Sequence, residues 1–208
     1  MALKLYGVLR SRATRPVWTA MELGLDFEQV PVIQAYRLKD PAAPDAPLNT
    51  ASPSFRAVNP NGLIPSMDDD GFVLHESLAI SLYLARKHGG PLAPRDAREE
   101  GLAVMWSLWG MGIEADTLAI AQKRDPEAAE ARLRAPFAVL DAALAAAGGH
   151  LVGGRFTVAD INLAEVIRYA QPARALFEAA PNLAAWIAAC QSRPAFQAMM
   201  KKREAEPA

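Results

Sequence analysis

The spacing of apolar positions changes period once along this chain, from strand-like and mixed to purely helical, and the change divides the sequence in two. Leu3 to Val8 is a short apolar run rich in strand formers, and Ser11-Arg12-Ala13-Thr14-Arg15-Pro16 after it has the composition of a loop and a helix start. Val17, Trp18, Met21 and Leu25 recur at helical spacing, Gly24 supplies a stop, and Phe27 to Ile33 alternates as a second strand. The opening is therefore expected to be β-α-β. Gln34 to Val58 holds no sustained period and carries Pro41, Pro44, Pro47 and Pro53, which predicts a long irregular segment with one short helix near Ser54 to Val58. Ile64 to Met67 and Phe72 to Leu74 flank Asp68-Asp69-Asp70-Gly71, a hairpin signal in which Gly71 can take the positive φ of the turn. A helix then runs from Ser77 to His88 with Leu78, Leu82 and Ala85 on one face, and Gly89-Gly90-Pro91 ends it.

Beyond Asp96 the text turns to Ala, Leu, Glu and Arg at helical spacing, and no further strand pattern occurs. Asp96 to Gln122 and Pro126 to Ala147 read as two long helices and Val158 to Tyr169 as a third. Shorter ones fall at Arg174 to Glu178, Asn182 to Gln191 and Ala195 to Lys201. The third helix has a defined start. Thr157 can cap the N–H of residue 160, Asp160 can reach back to the Thr157 N–H, and Phe156 can pack on Ile161 as a staple. The division expected is an α/β domain over residues 1–88, a linker over 89–95 and an all-α domain over 96–208.

With 208 residues, half of them apolar, the chain can bury a core without covalent staples. A net charge of -1 and the lack of any long single-sign run argue against a nucleic-acid partner, which would need clustered Lys and Arg. One cysteine, Cys190, allows no intrachain disulfide and no paired-cysteine site, and reads as a small buried hydrophobe. His75, His88 and His150 lie far apart with no ligand spacing, so no metal is expected. Met1 to Tyr6 lacks the pattern of a secretion leader, and no later run is long and apolar enough to span a bilayer. The expected place is the cytoplasm, with no membrane partner.

Candidate chemistry sits in Asn59-Pro60-Asn61-Gly62-Leu63-Ile64-Pro65 and in His75-Glu76-Ser77 at the start of the Ser77 helix. An X-Pro bond has only a small trans preference, so Ile64-Pro65 can be held cis by its surroundings and leave the Ile64 N–H and C=O to meet an extended ligand. A carboxylate at Glu76 beside the Ser77 hydroxyl and free helix N–H groups can bind the ammonium and carboxylate of one amino-acid head group together. The pair of motifs reads as a site for a small peptide. Read more plainly, the same residues are a turn and a helix cap.

Taken in order, the fragments KLYGVLRSRATRP, NPNGLIP, HESLAISLYLARKHG, GRFTVADINLAEV and NLAAWIAACQSRPAF resemble the cytosolic glutathione S-transferases over essentially the whole chain. The close of the first strand with Ser11 resembles the serine-type, theta-like branch and many bacterial members. The resemblance implies a thioredoxin-like βαβ-ββα N-terminal domain, an all-α C-terminal domain, glutathione as cosubstrate, a detoxifying thiolate attack on a hydrophobic electrophile, and a homodimer. It implies that Ser11 donates to the glutathione sulfur, where the residues alone give only a helix cap. Tyr6 is the rival donor, or simply a strand residue in the core. Ile64 is implied to pair with the cysteinyl part, Glu76 and Ser77 to take the head group, and Pro65 to be the structural cis proline.

Leu63 stands where many members carry a basic or polar residue, so Arg37 or Lys39 from the long loop is the expected partner of the glycyl carboxylate. Met105, Trp106, Trp109 and Ile113 form an apolar stripe from which Trp109 and Ile113 are expected to meet the electrophile. Two other functions stay open at this point. One is a non-catalytic member that binds glutathione or a hydrophobic ligand. The other is a glutathione-dependent peroxidase, dehalogenase or isomerase.

Overall fold

The computed structural model describes residues 3–206; Met1 and Ala2, which belong to the segment read as lacking a leader, lie outside them. The chain forms two compact units, Met1–Leu84 together with Gln197–Ala208, and Ala85–Phe196. The first unit takes in the last residues as well as the first.

In the first unit, β1 (Leu3–Tyr6), β2 (Phe27–Val30), β3 (Ser66–Asp69) and β4 (Phe72–His75) form one sheet in the order β2-β1-β3-β4. β1 runs parallel to β2 with Leu3 opposite Phe27, and antiparallel to β3 with Tyr6 opposite Ser66. The alternation in β1 buries Leu3 and Leu5, while Lys4 and Tyr6 on the other face remain half-exposed. β1 stops two residues before the apolar run does, because Gly7 turns the chain at φ 138°. Val8 still reaches back to the β2 side through its N–H to the Val32 carbonyl at 3.3 Å.

Helix α1 (Thr14–Glu22) crosses between the two parallel strands, and Thr14 to Ala20 are all buried. It ends as the sequence predicts: with Gly24 at φ 64°, the Leu25 N–H returns to the Ala20 carbonyl at 3.0 Å. The long segment after β2 is irregular apart from one 3₁₀ turn, Ala35–Arg37, and helix α2 (Pro53–Val58). Asn49 anchors it, its side-chain amide donating to the carbonyls of Pro41 (3.0 Å) and Pro47 (2.9 Å). Asp70 and Gly71 both have positive φ in the hairpin turn, and α3 (Ser77–His88) spans the predicted residues.

The second unit contains α4 (Ala97–Ala121), α5 (Pro126–Ala146), α6 (Val158–Ile167), α7 (Arg174–Glu178) and α8 (Pro181–Gln191), and α9 (Pro194–Ala205) begins in it. α9 runs four residues beyond the expected end, because its last turn, Lys201 to Glu204, is solvated and gives no apolar period. All ten residues of α6 are buried, and α4 packs against it. Gly110 makes that approach possible: a Cβ there would stand 3.0 Å from the Leu163 Cδ1 atom. Gly101 and Gly112, the other glycines of α4, have open space instead. The predicted capping box of Thr157 and Asp160 is present, and Cys190 is buried.

Asp96 caps α4 by accepting from the Arg98 and Glu99 N–H groups at 2.9 Å each. Glu99 meets Arg155 in a forked pair, with Nη1 to Oε1 at 2.8 Å and Nη2 to Oε2 at 2.6 Å, and also accepts the Arg95 N–H. Gly153 leaves room for the pair, since a Cβ there would fall on both the guanidinium and the carboxylate. The Arg155 hydrogen bonds, ahead of the Arg95 N–H, lower the Glu99 pKa from 4.5 to about 2. Because the folded value lies below the unfolded one, this stabilisation is complete above about pH 4.5 and fades as the pH falls towards 2. The Glu99→Gln variant is therefore expected to melt below the wild type at neutral pH, with the gap in Tm closing on acidification. A gap that stayed constant down to the acid limit would show that the pair does not carry this linkage.

Candidate functional site

The first unit gathers most of the predicted residues around the start of α1. Gly7 is the close-approach point: a Cβ on it would stand 3.0 Å from the Ala13 Cβ and 3.3 Å from the Ile64 Cβ. The turn leading into α1 and the proline loop thus touch across the end of β1. Ile64-Pro65 is cis. Asn59 fixes the loop around it: its side-chain amide donates to the Leu63 carbonyl (2.8 Å) and the Ser66 hydroxyl (3.0 Å), while its Oδ1 accepts the Asn61 N–H (3.0 Å). Leu63 projects into solvent.

Ser11 does not cap α1. The helix begins at Thr14 with Ala13 before it, and Ser11 lies half-buried in the preceding turn. Its hydroxyl donates to the Val8 carbonyl at 2.6 Å and accepts the Ala13 N–H at 3.1 Å. The oxygen is therefore held by the backbone of its own turn, where a cap would bond the first helical N–H groups. Tyr6 belongs to the sheet, with its ring 6.2 Å from that of Phe55. Burial pushes its phenol pKa up, with Lys4 opposing, so the hydroxyl stays protonated at neutral pH.

Glu76 is exposed at φ 69°, between β4 and α3, and its carbonyl accepts the Ile80 N–H at 2.9 Å. Ser77 opens α3 at 4% exposure. Its hydroxyl accepts a hydrogen bond from Arg15 Nη1 at 2.9 Å, and Arg15 is itself 1% exposed on the inner face of α1. The Ser77 oxygen is thus held as an acceptor by a buried cation, an arrangement in which its own hydrogen can be given to a further acceptor. Arg15 was not legible as a partner of Ser77, because nothing in Thr14-Arg15-Pro16 announces a contact 62 positions away.

Arg37 closes the 3₁₀ turn and Lys39 lies in the loop after it, both exposed. Trp109 and Ile113 lie on α4, in the second unit. Ile113 falls on the stripe of Trp106, Gly110 and Thr117 that is buried there, and Trp109 is half-exposed with its ring 5.4 Å from Trp106. Among the described residues, no group of three or more His, Cys, Asp or Glu side chains is placed to hold a metal ion, and no helix is long and apolar enough to cross a membrane.

Known proteins share this arrangement. The family model for the glutathione S-transferase N-terminal domain matches residues 5–92, and that for the glutathione S-transferase C-terminal domain matches residues 103–194. The chain is 33% identical to glutathione S-transferase 3 of Zea mays, over 94% of this chain and 91% of that protein. Among solved structures it is similar to glutathione S-transferase III in apo form, with 30% identity, a TM-score of 0.79 and full coverage of both chains. It is also similar to the theta class glutathione S-transferase from Xanthomonas axonopodis pv. citri with glutathione bound, at 30% identity and a TM-score of 0.73, over 95% of this chain and 96% of that one. A plant enzyme and a theta-class enzyme thus stand at similar identity, which supports the family without fixing a branch. A mixed four-stranded sheet bearing a cis-proline loop, a helical second unit and agreement with both domain models together establish that this chain belongs to the glutathione S-transferase family.

Proposed function

We propose that this protein binds glutathione in the first unit and transfers it, as its thiolate, to a hydrophobic electrophile. The tripeptide lies along the proline loop, pairing its cysteinyl amide with the backbone of Ile64 in the manner of an added strand. Glu76 takes the α-ammonium and Ser77 the α-carboxylate of the head group, while Lys39 serves the glycyl carboxylate. Ser11 donates to the sulfur. A free thiol is mostly protonated at neutral pH, so a hydrogen bond to its charged form raises the fraction that can attack. In attack on a chloronitrobenzene, the sulfur forms a bond to the ring carbon, the carbon–chlorine bond breaks, chloride leaves, and the thiol proton passes to water.

The observation that carries this reading is the close approach, at Gly7, of the Ile64 loop to the turn that holds Ser11. Retention on immobilised glutathione together with turnover of a chloronitrobenzene tests it. A chain that neither binds the resin nor turns the substrate over refutes it, and binding without turnover leaves a glutathione-binding module.

Trp109 and Ile113 are the helical unit's proposed contacts with the electrophile. Each unit also carries exposed apolar residues that a second copy can cover: Val104, Met105, Leu108 and Met111 on α4, and Phe72 and Val73 on β4. A homodimer in the cytoplasm, of the serine-type branch that the place of Ser11 after β1 supports, is the form we propose.

Arg15 enters this scheme as a positioning residue. Its guanidinium polarises Ser77 towards the head-group carboxylate, and losing a charge-assisted hydrogen bond costs about 1.5–3 kcal/mol. Arg15→Met is expected to raise the KM for glutathione by at least about tenfold while kcat at saturating glutathione changes little, with Arg15→Lys recovering part of the loss. If kcat dropped in step with thermal stability and KM did not rise, Arg15 would serve the fold alone.

A further inference from the structure

Where Val8-Leu9-Arg10 leads out of the sheet, the chain holds one of its own carboxylates. The Leu9 N–H donates to both oxygens of Glu206, at 2.9 Å to Oε1 and 2.7 Å to Oε2, and the Arg10 N–H donates to Oε2 at 3.3 Å. Gln29 completes the set with Nε2 to Oε1 at 2.9 Å. The orientation of that amide is set independently, because its other hydrogen bonds the Gly7 carbonyl at 3.2 Å. Arg10 Nη2 adds a bond to the Glu206 main-chain carbonyl at 3.3 Å and leaves the carboxylate to the neutral donors. Successive main-chain N–H groups converging on one point make an anion site without a formal positive charge.

The carboxylate stands in the wall of a cavity of about 780 Å³. Val8, Val30, Ile33, Leu38 and Leu48 supply half of its lining, two prolines extend the apolar part, and Gln29 and Arg37 are its other polar members. A volume of that size suits a small organic ligand. An anchor of neutral donors in a mostly apolar cavity, with Arg37 the one cation among the described residues of its lining, selects a molecule with a carboxylate at one end and an apolar body behind it.

We infer that the Leu9 and Arg10 N–H groups and the Gln29 amide form a binding site for apolar monocarboxylates such as arylalkanoates, and that Glu206 is its built-in occupant, displaced when such a ligand enters. The contact belongs entirely to the first unit, and its donors, Leu9, Arg10 and Gln29, are none of the groups proposed for glutathione. Arg37, one candidate for the glycyl carboxylate, lines the cavity, so the site is tested without glutathione and apart from the transferase reading. A group tethered to the same chain competes at an effective concentration on the order of millimolar. Its removal is therefore expected to tighten ligand binding by about tenfold.

The test is a titration of ¹⁵N-labelled protein with 4-phenylbutyrate in the absence of glutathione, for the wild type and for Glu206→Ala. In the variant the Leu9 and Arg10 amide protons should move upfield, as expected for loss of a charged acceptor, and saturating 4-phenylbutyrate should return them. Its Kd should be about tenfold below that of the wild type. Adding Gln29→Ala to Glu206→Ala should weaken binding, and the neutral 4-phenylbutyramide should fail to restore either resonance. Should the alanine variant lose its native spectrum, Glu206→Gln, which keeps the length of the side chain, is read in the same way. Equal Kd values for wild type and variant, or equal binding of acid and amide, would overturn the inference and leave Glu206 as a clamp on the segment after α9.

Discussion

Asp160→Ala is expected to destabilise the helical unit by about 3–5 kcal/mol, among the largest effects a single substitution can have in this protein. The carboxylate is wholly buried at the first turn of α6 and gathers donors from three places. Oδ2 accepts the Thr157 N–H at 2.8 Å and the Thr157 hydroxyl at 3.1 Å. Oδ1 accepts the Trp186 indole N–H of α8 at 2.8 Å and the Leu151 N–H at 3.3 Å, and His150 Nδ1 lies 3.5 Å away. Removing the side chain leaves two main-chain N–H groups and an indole N–H unpaired in the interior, each costing about 1–3 kcal/mol. Asn keeps one oxygen and turns an NH₂ group towards donors, so Asp160→Asn should fall between wild type and alanine. Urea midpoints at constant m measure the loss. Trp186→Phe removes one stranded donor, so the double variant should lose less than the sum of the two single ones. Full additivity, or an alanine variant within about 0.5 kcal/mol of the wild type, would mean that the network contributes little beyond filling space.

The same residues show what a sequence can and cannot announce. Thr157 and Asp160 were legible because a capping box is local: donor and acceptor sit three positions apart, and the apolar run behind them fixes the helix. α3, α7 and the β3–β4 hairpin were legible for the same reason, since Gly89, Gly71 and the helical period are short-range signals. Trp186 joining the Asp160 network 26 positions away, Arg15 meeting Ser77 across 62 and Glu206 returning to Leu9 across 197 carry no local mark. Boundaries slipped where two signals competed. Val8 looks like strand, yet Gly7 turns the chain before it. Lys201 to Glu204 look like a polar end, yet α9 continues through them. In the candidate site, the order of the proline loop and Glu76-Ser77 was legible as a motif. Ser11 was legible by position, but the part it plays in its turn was not, because a serine before a helical run reads as a cap whether or not the helix starts there.

That difference shapes the second large effect, expected for Ser11→Ala. A serine hydroxyl has one hydrogen to give, and here it goes to the Val8 carbonyl at 2.6 Å while the Ala13 N–H pins the oxygen. To serve the glutathione sulfur, the hydrogen must turn away from Val8 about a fixed oxygen, exchanging a neutral acceptor for a charged one. Hydrogen bonds to charged groups are worth about 1.5–3 kcal/mol against about 1 kcal/mol for neutral pairs, so the exchange is favourable only once the thiolate forms. Ser11→Ala should therefore lower kcat for a chloronitrobenzene by about two- to thirtyfold with a much smaller change in the KM for glutathione. The pH dependence follows with a definite sign. In the proposed scheme the bond stabilises the charged form and lowers the thiol pKa, so its loss should raise the pKa of bound glutathione by about 0.4–1.5, read from the thiolate ultraviolet absorbance. Wild type and variant should then converge as the pH rises above both values. If kcat and affinity dropped by the same factor with the thiol pKa unmoved, Ser11 would hold only the turn between β1 and α1, and the thiolate would have to be stabilised by another donor.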